Sequence, residues 1–165
     1  MEQKTVADSA VVMAAVMQPN QANPAGNVHG GEIMKMMDNA AFVVAQRHAR
    51  TNVVTARVDE LTFHQPIYVG NLVTCRAGLS FVGRSSMEVT VVVTVEDLYN
   101  EGGSVCALTA YFTMVALDGT GKSVPVPPLR LTGEAEKTVF EAGRQRYETY
   151  KQKRLSGEQQ CPLPG

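Results

Sequence analysis

Hydrophobic and polar positions alternate in two different rhythms along this chain. An apolar run over residues 9–18, ending in Val16, Met17 and Gln18, predicts a short strand, and Pro19 through Pro24 breaks it. The next segment, from about Gly30 to Ala49, is apolar with a helical spacing and predicts a long core helix. Strict alternation then takes over. Val54, Ala56 and Val58 alternate with Thr55, Arg57 and Asp59 between Val53 and Phe63. Further strands are predicted over Leu72–Val82, Ser86–Leu98 and Ser104–Leu117, the second of these carrying Val89, Val91, Val93 and Val95 on one face. Gly83-Arg84, Asn100-Glu101-Gly102-Gly103 and Asp118-Gly119-Thr120-Gly121 punctuate them. Long strands joined by glycine-rich turns predict an antiparallel meander, large enough to curve. Pro125-Val126-Pro127-Pro128 is a stiff exit linker. It leads to a second helix from about Gly133 to Lys153, partly apolar through Phe140, Tyr147 and Tyr150, and basic toward its end. The expected class is α+β, one sheet wrapped over one buried helix. We expect a single domain over 8–130, a helical extension over 131–157, and a disordered tail over 158–165.

Composition narrows the function classes. A chain of 165 residues supports one real core. A formal net charge of -1 gives no electrostatic case for nucleic acid or an anionic membrane. The apolar run from Ala10 to Met17 is too short to span a bilayer, and the first residues carry no signal-peptide pattern. Cys75, Cys106 and Cys161 are odd in number and not closely spaced. They are expected as reduced thiols of a cytoplasmic protein, with Cys75 and Cys106 in the core. His29, His48 and His64 lack metal-ligand spacing, and no metal is expected.

The core helix carries the candidate chemistry. On a helical wheel Glu32, Lys35, Asn39 and Gln46 share one face, while Asp38 sits beside Met34, Phe42 and Ala45. An acid on the apolar side of a core helix is costly unless it has a partner or a task. It is either a flank acid paired with Lys35 or a site carboxylate. Gly30 and Gly31 open the helix, where uncovered N–H groups and the positive dipole end suit a developing oxyanion. Close packing or a tight turn would equally explain the two glycines. Asp38 lies seven residues beyond Gly31, about 10 Å along the axis at ~1.5 Å per residue. A base and an oxyanion donor must both reach one reacting group. Two antiparallel copies of the helix about a two-fold axis would bring Asp38 of one chain near Gly31 of the other.

Several segments together resemble the hotdog-fold acyl-CoA thioesterases. They are Asn23 through Gly31, Lys35 through Asp38, Arg47-His48, Val53 through Asp59, Phe63 through Pro66, Ser85 through Val89, Val124 through Pro127, and Gly143 through Tyr147. The similarity covers nearly the whole chain and is greatest to the two-domain cytosolic enzymes of animals, although only one hotdog unit is present here. The resemblance implies a central helix wrapped by a curved sheet, a homodimer with sites at its interface, and often a trimer of dimers. It implies Asn23 and Asp38 as the catalytic pair, drawn from different subunits, with no cofactor beyond the CoA of the substrate. Gly30 and Gly31 are the oxyanion candidates. Arg57, Gly83, Arg84, Ser85 and Ser86 are candidates for binding CoA. Met34, Met37, Ala41 and Phe42 are candidates for the acyl pocket, with medium to long chains favoured. The alternatives within the same fold are a non-catalytic acyl-CoA sensor and an enoyl-CoA hydratase or dehydratase.

Overall fold

The computed structural model describes residues 1–156. The tail expected over 158–165 and Cys161 lie outside the described residues. In chain order the elements are β1 (Lys4–Thr5), β2 (Val11–Val16), a short 3-10 turn (Pro19–Gln21), α1 (Gly30–Ala49), β3 (Asn52–Phe63), β4 (Leu72–Val82), β5 (Ser86–Glu96), β6 (Ser104–Leu117), β7 (Leu129–Arg130) and α2 (Glu134–Leu155). Five strands form one antiparallel sheet in the order β2-β4-β5-β6-β3. The expected meander is β4-β5-β6, and β3 adds to its far side by pairing with β6.

The alternation explains how the sheet takes α1. Met87, Val89, Val91 and Val93 of β5 are fully buried, as are Val73 and Cys75 of β4. They meet a stripe on α1 formed by Ile33, Met37, Ala40, Ala41, Val44, Ala45 and His48. Three alanines in that stripe let the helix lie close to the strands, so the sheet curls around it. The helix begins at a cap supplied by His29 and ends where Arg50 adopts a left-handed conformation at φ 56°.

Bulges alter two of the expected faces. Register slips between β5 and β6 after Val93, so Ala107 and Leu108 are both buried in succession. This turns Cys106 outward, where it is exposed instead of joining the core. On β3, irregularities fall between Thr55 and Arg57 and between Asp59 and Thr62. The apolar set Val54, Ala56 and Val58 is exposed, while Val53, Arg57 and Asp59 are more covered. A long edge strand with apolar side chains outward is an unfinished surface for a lone protomer.

The end of α1 and the middle of α2 are tied down by specific contacts. The His48 ring is fully buried, with Nε2 donating to the Pro127 carbonyl at 2.7 Å, and Lys4 Nζ donates to the His48 carbonyl at 2.6 Å. The exit linker is thereby fixed against α1, and β1 and β7 pair in parallel alongside. α2 packs on the outer side of the sheet against β4. Gly143 allows this approach, because a Cβ there would lie 2.7 Å from Phe81 Cβ. Buried Glu88 of β5 accepts from Ser80 at 2.6 Å and from Arg146 of α2 at 2.7 and 3.0 Å. Glu88 holds the Arg146 guanidinium more firmly protonated than usual. No helix among the described residues is long and apolar enough to cross a membrane.

Candidate active site

The loop before α1 is built around Asn23. Its backbone N–H donates to the Asn27 carbonyl at 2.7 Å, and its carbonyl accepts from Gly26 N–H at 3.0 Å. Gly26 closes the turn at φ 89°, a conformation suited to glycine. The side-chain carbonyl Oδ1 accepts from the N–H groups of Ala25 at 2.9 Å and Asn27 at 3.3 Å. Two backbone donors on one oxygen fix which end of the amide is which. The Nδ2 group has no partner among the described residues and is a donor waiting for an acceptor.

Gly30 stands beside it. Asn23 and Gly30 line one cavity of about 400 Å³, walled by Ile33, Phe63 and His64. A Cβ on Gly30 would approach the Phe63 ring to 3.2 Å, so glycine gives this wall its room. The Gly30 N–H has no partner among the described residues. The Gly31 N–H differs, because it donates to His29 Nδ1 at 3.0 Å. Of the two glycine donors, the one at Gly30 is free at the start of the helix, where the dipole favours negative charge. His29 thus caps the helix.

Asp38 lies elsewhere on α1 and does not line this cavity. It is half-buried, and its Oδ1 accepts from Thr55 Oγ1 of β3 at 2.6 Å. Oδ2 has no partner among the described residues. No ion pair joins Asp38 to Lys35 among them, so the flank-acid alternative finds no contact here. Thr55 is not marked by the sequence pattern as a site residue. Its signal is a hydroxyl on a strand position facing the helix, which the alternation alone does not distinguish from a surface threonine.

Other candidates separate into groups. Met37 and Ala41 are fully buried against the sheet, whereas Met34 and Phe42 are 40% and 43% exposed. The exposed pair sits one turn to either side of Asp38. Arg57, Ser85 and Ser86 share a separate cavity of about 300 Å³ with Tyr147, Tyr150 and Arg154 of α2. Gly83 and Arg84 belong to the adjoining turn, where a Cβ on Gly83 would meet Ser86 Oγ at 3.0 Å and the Arg84 carbonyl accepts from Val126 N–H. Among the described residues no group of three or more His, Cys, Asp and Glu side chains is placed to hold a metal ion.

A curved antiparallel sheet around one long helix, with a carboxylate on that helix and donors at its start, defines the hotdog class. The sequence model of the thioesterase superfamily matches residues 25–101. The rat cytosolic acyl coenzyme A thioester hydrolase is 40% identical over 154 residues, spanning 93% of this chain and 40% of that protein. The chain thus spans about two fifths of the length of that relative. An apo-hexameric acyl-CoA thioesterase superposes with a TM-score of 0.86 at 31% identity, over 93% of this chain and 97% of the other. The Staphylococcus aureus acyl-CoA hydrolase, solved with butyryl coenzyme A, coenzyme A and its disulfide, gives 0.85 at 32% identity over 95% of each chain. Variants of the S. aureus hydrolase with an Asn, an Asp or a Thr replaced by Ala have also been solved. This chain belongs to the thioesterase superfamily, within its hotdog acyl-CoA hydrolases.

Proposed function

We propose that the protein hydrolyses an acyl-CoA thioester to a free acid and CoA, at sites shared between two chains. The observation that carries this reading is the separation of donors from base. Asn23 and Gly30, each with a donor unpartnered among the described residues, line one cavity, while Asp38 lies eight residues beyond Gly30 on α1, about 12 Å along the axis at ~1.5 Å per residue. One carbonyl cannot be served by two groups that far apart along one helix. A two-fold pairing of α1 helices brings Asp38 of one chain to the donors of the other.

In that site the free Oδ2 of Asp38 takes a proton from water as the water oxygen attacks the carbonyl carbon. The oxyanion is held by Asn23 Nδ2 and the Gly30 N–H. Collapse breaks the C–S bond, and the CoA thiolate leaves and recovers the proton from Asp38. Direct attack by Oδ2 to form an anhydride, then hydrolysed, uses the same geometry. The committed Oδ1 of Asn23 supports a role on the carbonyl oxygen over one on the water. The variants made in the S. aureus hydrolase replace the same residue types that occur here as Asn23, Asp38 and Thr55. Met34, Phe42 and Phe63 offer exposed apolar walls for a medium to long acyl chain. Arg57, Ser85 and Ser86 would take the nucleotide end. A hexamer built as a trimer of dimers accords with the hexameric neighbour, and a cytosolic setting with the rat relative.

Substituting Asp38 by Ala should lower kcat by at least about 100-fold, while leaving the assembly and its thermal midpoint unchanged. CoA release followed with a thiol reagent measures this. Near-wild-type turnover by the variant contradicts the reading.

A further inference from the structure

The cavity shared by Asn23 and Gly30 has a floor and a rim of different chemistry. Val28, Ile33 and Ile67 line it at 6%, 1% and 4% exposure and give it a buried apolar floor. Phe63, His64 and Gln65, where β3 ends, are exposed and form its rim. Among the residues lining the cavity, His64 is the one with an ionisable side chain.

His64 is also held in place. Its backbone N–H donates to the Ala107 carbonyl of β6 at 2.7 Å, so it stays with the sheet after β3 itself has ended. The preceding residue, Phe63, lies against the start of α1, 3.2 Å from where a Cβ on Gly30 would stand. These two contacts keep the end of β3 beside the Gly30 donor. Gln65 has no such tie, since no hydrogen bond involves it among the described residues. Neither ring nitrogen of His64 has a hydrogen-bond partner among the described residues. A neutral imidazole carries one N–H and an imidazolium two, so a donor is present in either state.

The proposed hydrolysis leaves one developing charge without a partner. Asn23 Nδ2 and the Gly30 N–H hold the oxyanion, and Asp38 of the second chain takes the proton from water. On collapse the electron pair of the C–S bond passes to sulfur, which is charged until it recovers that proton. The sulfur is bonded to the same carbon as the oxygen held by these donors, so it departs inside the cavity or at its rim. A donor aimed at the place where charge develops lowers the barrier. The apolar floor offers none, and Asn23 is used on the oxygen. Asn27 and Gln65 offer neutral amides, whereas an imidazole can also carry positive charge, and a charged donor to an anion is roughly twice as strong.

From this we infer that His64 is a further catalytic residue, whose ring N–H donates to the departing sulfur as the C–S bond breaks. The electron pair stays on sulfur, His64 keeps its proton, and the thiolate takes the proton held by Asp38. His64 has this role only if the thioesterase reading holds.

The test assays wild type, His64→Ala, His64→Gln and Asp38→Ala on butyryl-CoA, following CoA release. His64→Ala should lower kcat about tenfold while KM changes less than about twofold. His64→Gln, which keeps a neutral N–H, should recover most of the rate. Assembly size and thermal midpoint should match wild type in both. An unchanged kcat in His64→Ala overturns the assignment. So does a fall in kcat that Gln does not restore, or a rise in KM with kcat preserved. If Asp38→Ala is inactive while His64→Ala is unimpaired, the thioesterase reading stands and the role of His64 alone falls. If wild type releases no CoA, or Asp38→Ala keeps wild-type turnover, the reading itself fails and the role of His64 falls with it.

Discussion

Asp38 depends on Thr55 for its aim. The Thr55 hydroxyl fixes Oδ1 at 2.6 Å, and in the proposed mechanism that leaves Oδ2 as the oxygen that acts. A hydrogen bond to an ionised group contributes about 1.5–3 kcal/mol, so Thr55→Val should lower kcat about 10- to 100-fold. KM should change little, and Thr55→Ser should restore most of the rate. A rise in KM with kcat preserved would assign Thr55 to substrate binding instead. At this scale the sequence shows the acid but not its holder. Asp38 stands out because it is a carboxylate on the apolar side of a core helix. Thr55 is one of several polar residues in an alternating strand, and only the packing of β3 against α1 selects it. Asn23 precedes a proline, an ordinary turn pattern, and its two accepted N–H bonds appear only once the loop closes around Gly26.

Elements tell a different story, because periodicity reports burial well until a bulge resets it. The strands β4 and β6 fall at the bounds their alternation predicts, and α1 at the bounds its apolar spacing predicts. Cys106 fails because one extra residue in β6 opposite β5 moves it from the inner to the outer face, and nothing local in the sequence marks that residue. The tie between α1 and the exit linker is equally invisible, since His48 and Pro127 meet only in the fold. Burial lowers the His48 pKa below the ordinary 6.5, outweighing the opposing effect of the Pro127 carbonyl. The nearby Lys4 lowers it further, while Asp8 raises it. The folded state then favours neutral imidazole, and the unfolded chain binds the extra proton below pH 6.5. Stability from this group is full above that value and is lost as the pH falls beneath it. The urea midpoint should drop on going from about pH 7 to about pH 5.5, and less steeply in His48→Gln. Equal slopes in the two proteins would contradict a buried neutral His48.

For the molecule as a whole, the proposed mechanism leaves one protomer chemically unfinished. Gly30 and Asp38 are about 12 Å apart along one helix. Met34 and Phe42 flank the acid in the open, and Val54 and Val58 lie exposed on the β3 edge. The helix rise calls for a second copy, and the unpaired edge strand offers a surface for the same partner. Tyr150 and Arg154 sit on α2, whose partial apolar stripe and basic end are legible in the sequence but whose target on the sheet is not. The most direct test of a shared site uses two inactive chains. Asn23→Ala and Asp38→Ala are purified separately, mixed in equal amounts, dissociated and reassembled. If each site takes Asn23 from one chain and Asp38 from the other, half the dimers are mixed and each has one intact site. The mixture should then recover about a quarter of wild-type activity. If both residues serve a site within a single chain, no intact site can form, and the absence of any recovery would contradict the account.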